Sequence, residues 1–227
     1  MFPLLFLSLL LSSSSSTSLP SWTLVANDYN RTIFSGYLPI NKSGGSDSSL
    51  FYVFYSSENK TNTSAPIIIW MNGGPGSSSM LGNFYENGPF QLIEENGKTV
   101  EKKRDVNWGG DYNLLFVDQP VGTGLSYLSN DQELTTNQEQ IADNFYCALQ
   151  AWYGLDKFKE LIKNRLIITG ESYAGKFVPS IAKRIVEWNQ NLDNSSFPNP
   201  QKFVKINLKG TYFFNFYYFF IHLHYQH

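Results

Sequence analysis

One serine in the chain has the surroundings of a nucleophile. Ser172 stands in "LIITGESYAGKFVP", residues 166–179, where an apolar run ends at Gly170 and small residues open a helical pattern. A sharp turn from strand to helix needs small residues two positions to either side of the serine, and Gly170 and Ala174 meet that need. The following helix points N–H groups and the positive end of its dipole at the serine oxygen. The stretch predicts a nucleophilic serine on a strained corner.

A glycine-rich stretch could serve the same chemistry. The residues "WMNGGPGSSSMLGNFYENGPF", 70–90, follow an apolar run, and their glycines leave backbone N–H groups unshielded. Fixed N–H donors of this kind stabilise the oxyanion that forms during acyl transfer. The alternatives are a tight turn or a phosphate-binding loop. The phosphate loop is disfavoured because no P-loop lysine follows and Pro75 removes one donor.

Composition excludes several other classes of function. The chain has 227 residues, 42% of them hydrophobic, which is enough for one globular domain. A formal net charge of −2 argues against nucleic acid or an anionic membrane as the main partner. The single cysteine excludes an intrachain disulfide, and without CxxC or HExxH patterns we predict neither a metal site nor a cofactor.

Apolar runs alternate with helical patterns along most of the chain, and this order predicts the fold. Uninterrupted apolar runs suit strands that are buried on both faces. Strand, helix, strand order implies an α/β fold with a mostly parallel sheet and helices on both faces. The predicted strands are residues 49–57, 66–74, 113–120, 165–170 and 202–210, and the predicted helices are residues 136–155 and 173–190.

The first 20 residues have the pattern of a secretory signal peptide. An apolar segment at residues 2–11 precedes a run of small polar residues, and it is too short for a permanent membrane anchor. A buried first strand is the alternative. Five N-x-S/T sequons favour the secretory route and are candidate glycosylation sites: Asn30, Asn41, Asn59, Asn62 and Asn194.

Four stretches together resemble a known family. The blocks "WMNGGPGSSS", "GNFYENGP", "NLLFVDQPVGTGLSY" and "TGESYAGKFVP" are similar to signature stretches of the serine carboxypeptidases, an α/β-hydrolase family, and to its plant serine carboxypeptidase-like branch. The resemblance covers about residues 36–210. It divides the chain into a signal peptide at 1–20, the N-terminal part of the hydrolase domain at 21–210 and a non-family aromatic tail at 211–227.

The resemblance implies the groups that perform acyl transfer. Ser172 would be the nucleophile that forms the acyl-enzyme. The backbone N–H groups of Gly74 and Tyr173 would form the oxyanion hole. The implied substrates are the C-termini of peptides or proteins, and the implied location is the vacuole or the extracellular space.

The resemblance also implies a site for the substrate's C-terminal carboxylate. Asn72, Glu86 and Glu171 would bind it, with Trp70 supporting them. Two glutamates repel a third carboxylate when all three are ionised, so one of them must hold a proton. We therefore expect peptide binding to be favoured by acid and C-terminal amides not to be recognised.

The triad that should activate the serine is incomplete. In this class of hydrolases the nucleophile is followed by an aspartate and then a histidine. The three histidines are His222, His224 and His227, all in the aromatic tail, and Asp193 is the only aspartate between Ser172 and that tail. We expect a chain truncated before the acid and the base, as a shortened gene model would produce, with activity lowered by about 10⁶.

Two alternatives to a peptidase remain open. The same scaffold serves acyltransferases that use sugar esters as donors. Retention of Asn72 and Glu171, which suit a peptide carboxylate, favours the peptidase. A non-catalytic secreted fragment is the other alternative.

Overall fold

The computed structural model describes residues 23–28, 31–40, 47–192 and 203–214. The predicted signal peptide therefore lies outside the described residues. Nine strands occur within those ranges: β1 Thr23–Asp28, β2 Arg31–Pro39, β3 Ser49–Tyr55, β4 Ile67–Met71, β5 Phe90–Glu95, β6 Lys98–Lys103, β7 Asn113–Val117, β8 Leu166–Glu171 and β9 Leu208–Phe214. The two long helices are α1 Gln138–Gly154 and α2 Ala174–Asn191, and short helical turns occupy Gly82–Glu86, Asp131–Glu133 and Lys159–Lys163.

Seven of these strands form one mixed sheet, and the α/β class is confirmed. Their order is β1-β2-β3-β7-β4-β8-β9, with β5 and β6 as a separate hairpin. Strands β7, β4, β8 and β9 pair with their neighbours in parallel, as the alternating pattern predicts. Strands β1, β2, β3 and β7 pair with their neighbours in antiparallel fashion and extend the sheet on the other side. The parallel half carries the predicted serine and the glycine-rich loop.

Within the described residues, both long helices lie on one face of the sheet, whereas the sequence predicts helices on both faces. Strand β7 connects to β8 through α1, and β8 connects to β9 through α2; both steps run in the same direction across the sheet. Because such crossovers are right-handed, they place their helices on the same side. Strand β4 connects to β7 in the opposite direction, and its connection, residues 72–112, covers the other face with the β5–β6 hairpin.

The two faces of the sheet hold separate hydrophobic cores. Successive strand side chains point to opposite faces. In β3, Tyr52 and Phe54 pack with the helices, whereas Val53 and Tyr55 pack with the hairpin side. Trp152 of α1 is fully buried in the helix-side core, and its ring stacks on Phe158 with centroids 4.7 Å apart. None of the described helices is long and apolar enough to cross a membrane.

The last described strand crosses the predicted domain boundary. Strand β9 pairs in parallel with β8 from Leu208 to Phe214, whereas the sequence placed a strand at residues 202–210 and a tail foreign to the fold from residue 211. Residues 211–214 belong to the sheet, because their β-branched and aromatic side chains suit a strand. The rest of the predicted tail, with all three histidines, lies outside the described residues.

The β5–β6 hairpin has no counterpart among the predicted elements. It turns at Asn96 and Gly97, whose φ angles are 53° and 71°. An Asn-Gly pair between two short runs is a strong hairpin signal, since both residues tolerate positive φ. The mixed charge run at residues 101–105 forms the end of β6 and the residues that follow it.

Candidate active site

The ends of β4 and β8 bring the glycine-rich loop and the serine to one place. The two strands are parallel neighbours, with Met71 opposite Gly170. The chain leaves β4 toward one face of the sheet and leaves β8 toward the other. In α/β sheets a crevice opens at such a switch point, beyond the carboxyl ends of the strands, and ligands bind there.

Ser172 occupies the strained corner that the sequence predicts. Its φ is 56°, and it is exposed at the surface. A left-handed backbone of this kind costs about 1–2 kcal/mol for a residue other than glycine. A Cβ on Gly170 would lie 2.5 Å from the carbonyl oxygen of Met71 and 2.6 Å from Cβ of Ala174. The corner therefore requires glycine at 170 and a small residue at 174.

The glycine-rich loop touches the serine corner through backbone atoms. A Cβ on Gly73 would collide with the backbone nitrogen of Tyr173 and would lie 2.8 Å from the carbonyl oxygen of Glu171. Glycine at 73 thus keeps the space in front of the Tyr173 N–H open. Gly74 follows with a φ of 108°, a conformation that favours glycine. The roles of Gly74 and Tyr173 as oxyanion donors stay predictions, but the two loops share one site.

Asn72 links both predicted glutamates. Its side chain is buried, and its Nδ2 donates to Oε1 of Glu171 at 2.9 Å and to Oε1 of Glu86 at 3.2 Å. Its Oδ1 accepts from Nε1 of Trp70 at 2.9 Å and from the backbone N–H of Gly82 at 3.0 Å. An indole N–H can only donate, so Trp70 fixes which end of the amide faces the glutamates. The structure therefore brings all four predicted carboxylate-site residues into one hydrogen-bonded cluster.

The cluster favours the protonated form of Glu86. The residue as a whole is exposed, yet its carboxyl end meets the buried Asn72, and loss of hydration there is the main cause that raises its pKa. The hydrogen bond from Asn72 lowers the pKa of Glu86, repulsion from Glu171 raises it, and the charge of Arg104 lowers it. A carboxyl group that keeps its proton to higher pH can donate to another carboxylate.

Asp118 anchors the glycine-rich loop and is absent from the predicted site. It is fully buried after β7, and it accepts from Oγ of Ser78 at 2.8 Å, from the N–H of Ser79 at 2.7 Å and from the N–H of Leu125 at 2.8 Å. Burial raises the pKa of Asp118, and these three donors oppose that shift. An aspartate directly after an apolar run was the available signal, but two of its partners, Ser78 and Ser79, lie 40 and 39 positions before it in sequence.

Two of the five predicted glycosylation sites can be described. Asn59 is exposed and Asn62 is half-buried, both in the connection from β3 to β4. Each side-chain oxygen accepts from the hydroxyl group of its own sequon, Thr61 at 2.7 Å and Ser64 at 3.0 Å. Asn30, Asn41 and Asn194 lie outside the described residues. Within the described ranges no cluster of His, Cys, Asp or Glu side chains could hold a metal ion.

The backbone contact at Gly73 predicts a large effect of one methyl group. Gly73→Ala forces the glycine-rich loop away from Tyr173 and should lower the free energy of unfolding by about 2 kcal/mol, as overpacking does. Urea unfolding measures this. Gly110→Ala is the matched control, because a Cβ there meets nothing within 4 Å, and it should change stability by less than about 0.5 kcal/mol. Equal stability of both variants would contradict the contact.

The raised pKa of Glu86 predicts a pH-dependent cost to stability. The folded state binds this proton more tightly than the unfolded state does, so stability falls as pH rises from about 4.5 through the raised pKa. Glu86→Gln removes that cost while keeping an acceptor for Asn72. The melting temperature of Glu86→Gln should rise relative to that of the wild type between pH 4 and pH 7. Glu94→Gln, which alters an exposed carboxylate on β5, should follow the wild type at every pH.

Similarity to known proteins agrees with this geometry. The model of the serine carboxypeptidase family matches residues 23–218. The probable serine carboxypeptidase CPVL of Dictyostelium discoideum is 38% identical over 177 residues, which cover 78% of this chain and 32% of that protein. Serine carboxypeptidase-like 50 of Arabidopsis thaliana is 38% identical over 178 residues, or 78% of this chain and 36% of that protein. The chain thus spans about a third of the length of these relatives.

A solved structure shows the same architecture. The prohormone-processing carboxypeptidase Kex1 of Saccharomyces cerevisiae superposes with a TM-score of 0.64 and 27% identity, over 88% of this chain and 42% of that one. Together with the serine at the strained corner and the glycine-rich loop beside it, the matched family model places this chain in the serine carboxypeptidase family, with its α/β-hydrolase fold.

Proposed function

We propose that the described residues supply the nucleophile, the oxyanion donors and the carboxylate site of a serine-type carboxypeptidase. The reaction is hydrolysis of the C-terminal peptide bond through an acyl-enzyme on Ser172. The observation that carries the proposal is Asn72, whose buried amide holds Glu86 and Glu171 next to the strained serine. Family membership and the carboxypeptidase names of the relatives support the same reaction.

The glutamates recognise the substrate through a shared proton. A peptide's C-terminal carboxylate that approaches Asn72 meets two other carboxyl groups, and three like charges at hydrogen-bond distance repel strongly. When Glu86 is protonated, its O–H donates to the incoming carboxylate and the repulsion is reduced. The raised pKa of Glu86 extends this state to higher pH than an ordinary glutamate allows. Binding therefore weakens as pH rises through that pKa.

In the proposed reaction, acyl transfer takes place at Ser172. Oγ of Ser172 attacks the scissile carbonyl carbon, and the N–H groups of Gly74 and Tyr173 donate to the oxyanion. The C–N bond then breaks, and the C-terminal amino acid leaves as an amine with the proton from Ser172. Water hydrolyses the ester and restores the hydroxyl group. One oxyanion donor contributes about 10²–10³ in rate.

Proton transfer requires a base from outside the described residues. All three histidines of the chain, His222, His224 and His227, lie there. Without the imidazole, the rate falls by about 10⁶, because the serine cannot lose its proton in the transition state. The chain spans about a third of its relatives' length, so the activity of a whole protein is part of this proposal.

The proposed enzyme enters the secretory pathway. The apolar segment of residues 2–11 and the five sequons support this route, and Asn59 and Asn62 lie in the same connection. In our proposed domain division, residues 1–20 are the signal peptide and the catalytic domain begins at residue 21. Its described part ends with β9 at Phe214. An acid-favoured carboxylate site suits a vacuolar or extracellular compartment.

Peptide recognition can be measured without turnover. An N-blocked dipeptide acid should shift the NMR signals of Asn72 and Glu171 at pH 5. Its affinity should be lower at pH 7.5, and at pH 5 it should bind more tightly than its C-terminal amide. Glu171→Gln removes one charge and should let the acid bind at the higher pH. Asn59→Gln, on an exposed loop, serves as the control. Equal affinity for acid and amide would exclude the carboxypeptidase and favour the non-catalytic fragment.

The nucleophile can be tested by supplying the base. Imidazole in solution should accelerate acylation of Ser172 by an N-blocked amino acid nitrophenyl ester, detected as a mass increase on the peptide that contains residue 172. Ser172→Ala should abolish the modification, whereas Ser64→Ala, on an exposed turn, should retain it. Labelling that survives in Ser172→Ala would show that another hydroxyl group reacts.

A further inference from the structure

A guanidinium group lies behind the segment that presents Glu86. Arg104 directly follows β6, and its backbone N–H donates to the carbonyl of Pro89 at 2.9 Å, next to the pairing of β5 and β6. Its half-buried side chain turns toward the π-helical turn before β5. There Nε donates to the carbonyl of Gly88 at 3.1 Å, and Nη2 donates to the carbonyl of Phe84 at 2.9 Å.

These two carbonyls lie on either side of Glu86 in the chain. The last carbonyls of a helical turn have no partner within it, and basic side chains can provide one. One planar guanidinium reaches both Phe84 and Gly88 because its N–H groups diverge in a fixed geometry. The same side chain therefore holds the backbone before and after Glu86. A lysine carries its three N–H donors on a single nitrogen, so it lacks the planar, diverging pair of donors that Arg104 uses here.

A second set of contacts joins the backbone of Arg104 to the residues that support Asn72. Nδ2 of Asn107 donates to the backbone carbonyl of Arg104 at 3.0 Å. Trp108, the next residue, packs edge-on against Trp70, with ring centroids 5.3 Å apart and an interplanar angle of 84°. Trp70 in turn donates to Oδ1 of Asn72. Arg104 thus contacts both the support of Glu86 and the loop that supports Asn72.

We propose that Arg104 is a positioning residue for recognition of the substrate's C-terminal carboxylate. It fixes the backbone on both sides of Glu86 and so keeps that carboxyl group 3.2 Å from Nδ2 of Asn72. This role deepens the proposed carboxypeptidase function and rests on it. Arg104 makes no contact with the substrate in this scheme; it acts through Glu86.

The charge of Arg104 has a separate effect from its hydrogen bonds. Two charged groups act on Glu86: Glu171 from β8, which raises its pKa, and Arg104, which lowers it. No salt bridge joins Arg104 to either glutamate in the described part of the chain. Removal of the charge should therefore raise the pKa of Glu86, whereas removal of the bridge alone should lower it toward its ordinary value, because the carboxyl group is no longer held at the buried Asn72. Two substitutions can separate these effects.

The test compares Arg104→Gln, which loses charge and bridge, with Arg104→Lys, which loses only the bridge. Carbon-13 NMR of the full chain gives the pKa of Glu86, and titration with an N-blocked dipeptide acid at pH 5 gives the affinity. In Arg104→Lys the pKa should fall toward its ordinary value, because the carboxyl group is released from the buried Asn72, and the affinity should fall about tenfold, the loss expected when one hydrogen bond to a charged group is misplaced. In Arg104→Gln the affinity should fall as much, and the pKa should lie above that in Arg104→Lys, because the positive charge is also removed. Lys102→Gln, an exposed charge on β6, should match the wild type in both.

Affinity at the wild-type level in both Arg104 variants would overturn the positioning role. If Arg104→Gln does not fold, Arg104→Lys decides the same question, because it tests the bridge directly. If the wild-type chain does not bind the dipeptide acid at all, the proposed function fails. The NMR signals of residues 84–88 then still report on positioning: they should shift and broaden in Arg104→Lys but not in Lys102→Gln. Unchanged signals there would exclude the bridge.

Discussion

The site depends on how closely the backbone beyond β4 approaches the backbone beyond β8. No side chain fits between Gly73 and Tyr173, and none fits between Gly170 and Met71. This contact forces Ser172 to the outside of a tight corner with a φ of 56°. It also brings Asn72 within reach of Glu171, which lies 99 positions away in sequence. Both the strained serine and the proposed carboxylate site require a glycine at the end of each of these strands.

The buried polar groups around this contact act as supports with different tasks. Asn72 uses its whole amide to place two glutamates, and Trp70 fixes the orientation of that amide. Asp118 holds the glycine-rich loop from the β7 side through Ser78 and Ser79. Because an unpaired buried carboxylate or amide is costly, each of these groups holds its partners in a narrow geometry. The groups at the surface of the site are thus held in place by hydrogen bonds to buried side chains.

The topology explains why the site lies where it does. The connection that leaves β4 covers one face of the sheet, and α1 and α2 cover the other. The connection from β4 leads away from β8 over one face, the connection from β8 leads away from β4 over the other, and the crevice opens between these two strands. The connection from β4 to β7 contains the glycine-rich loop, Glu86 and Arg104, so this one connection contributes most of the proposed carboxylate site.

Sequence alone determined the elements whose signals are local. Continuous apolar runs predict β3, β4, β7 and β8 to within a few residues, and helical spacing predicts α1 and α2. The small residues Gly170 and Ala174 predict the corner at Ser172. The roles of Asn72, Glu86 and Glu171 came from family resemblance, because their spacing of 14 and 99 positions has no local pattern.

Only the tertiary structure decided which distant groups meet. The placement of both helices on one face follows from the order of strands across the sheet, which the order along the chain does not specify. Arg104 and Asp118 gave no clear signal in the sequence, since a charged residue after a strand is usually solvated. Most of their partners are backbone carbonyls and N–H groups, which nearly every residue carries. A hydrogen bond to the backbone does not require a particular residue type at the partner position, so only the folded chain reveals it.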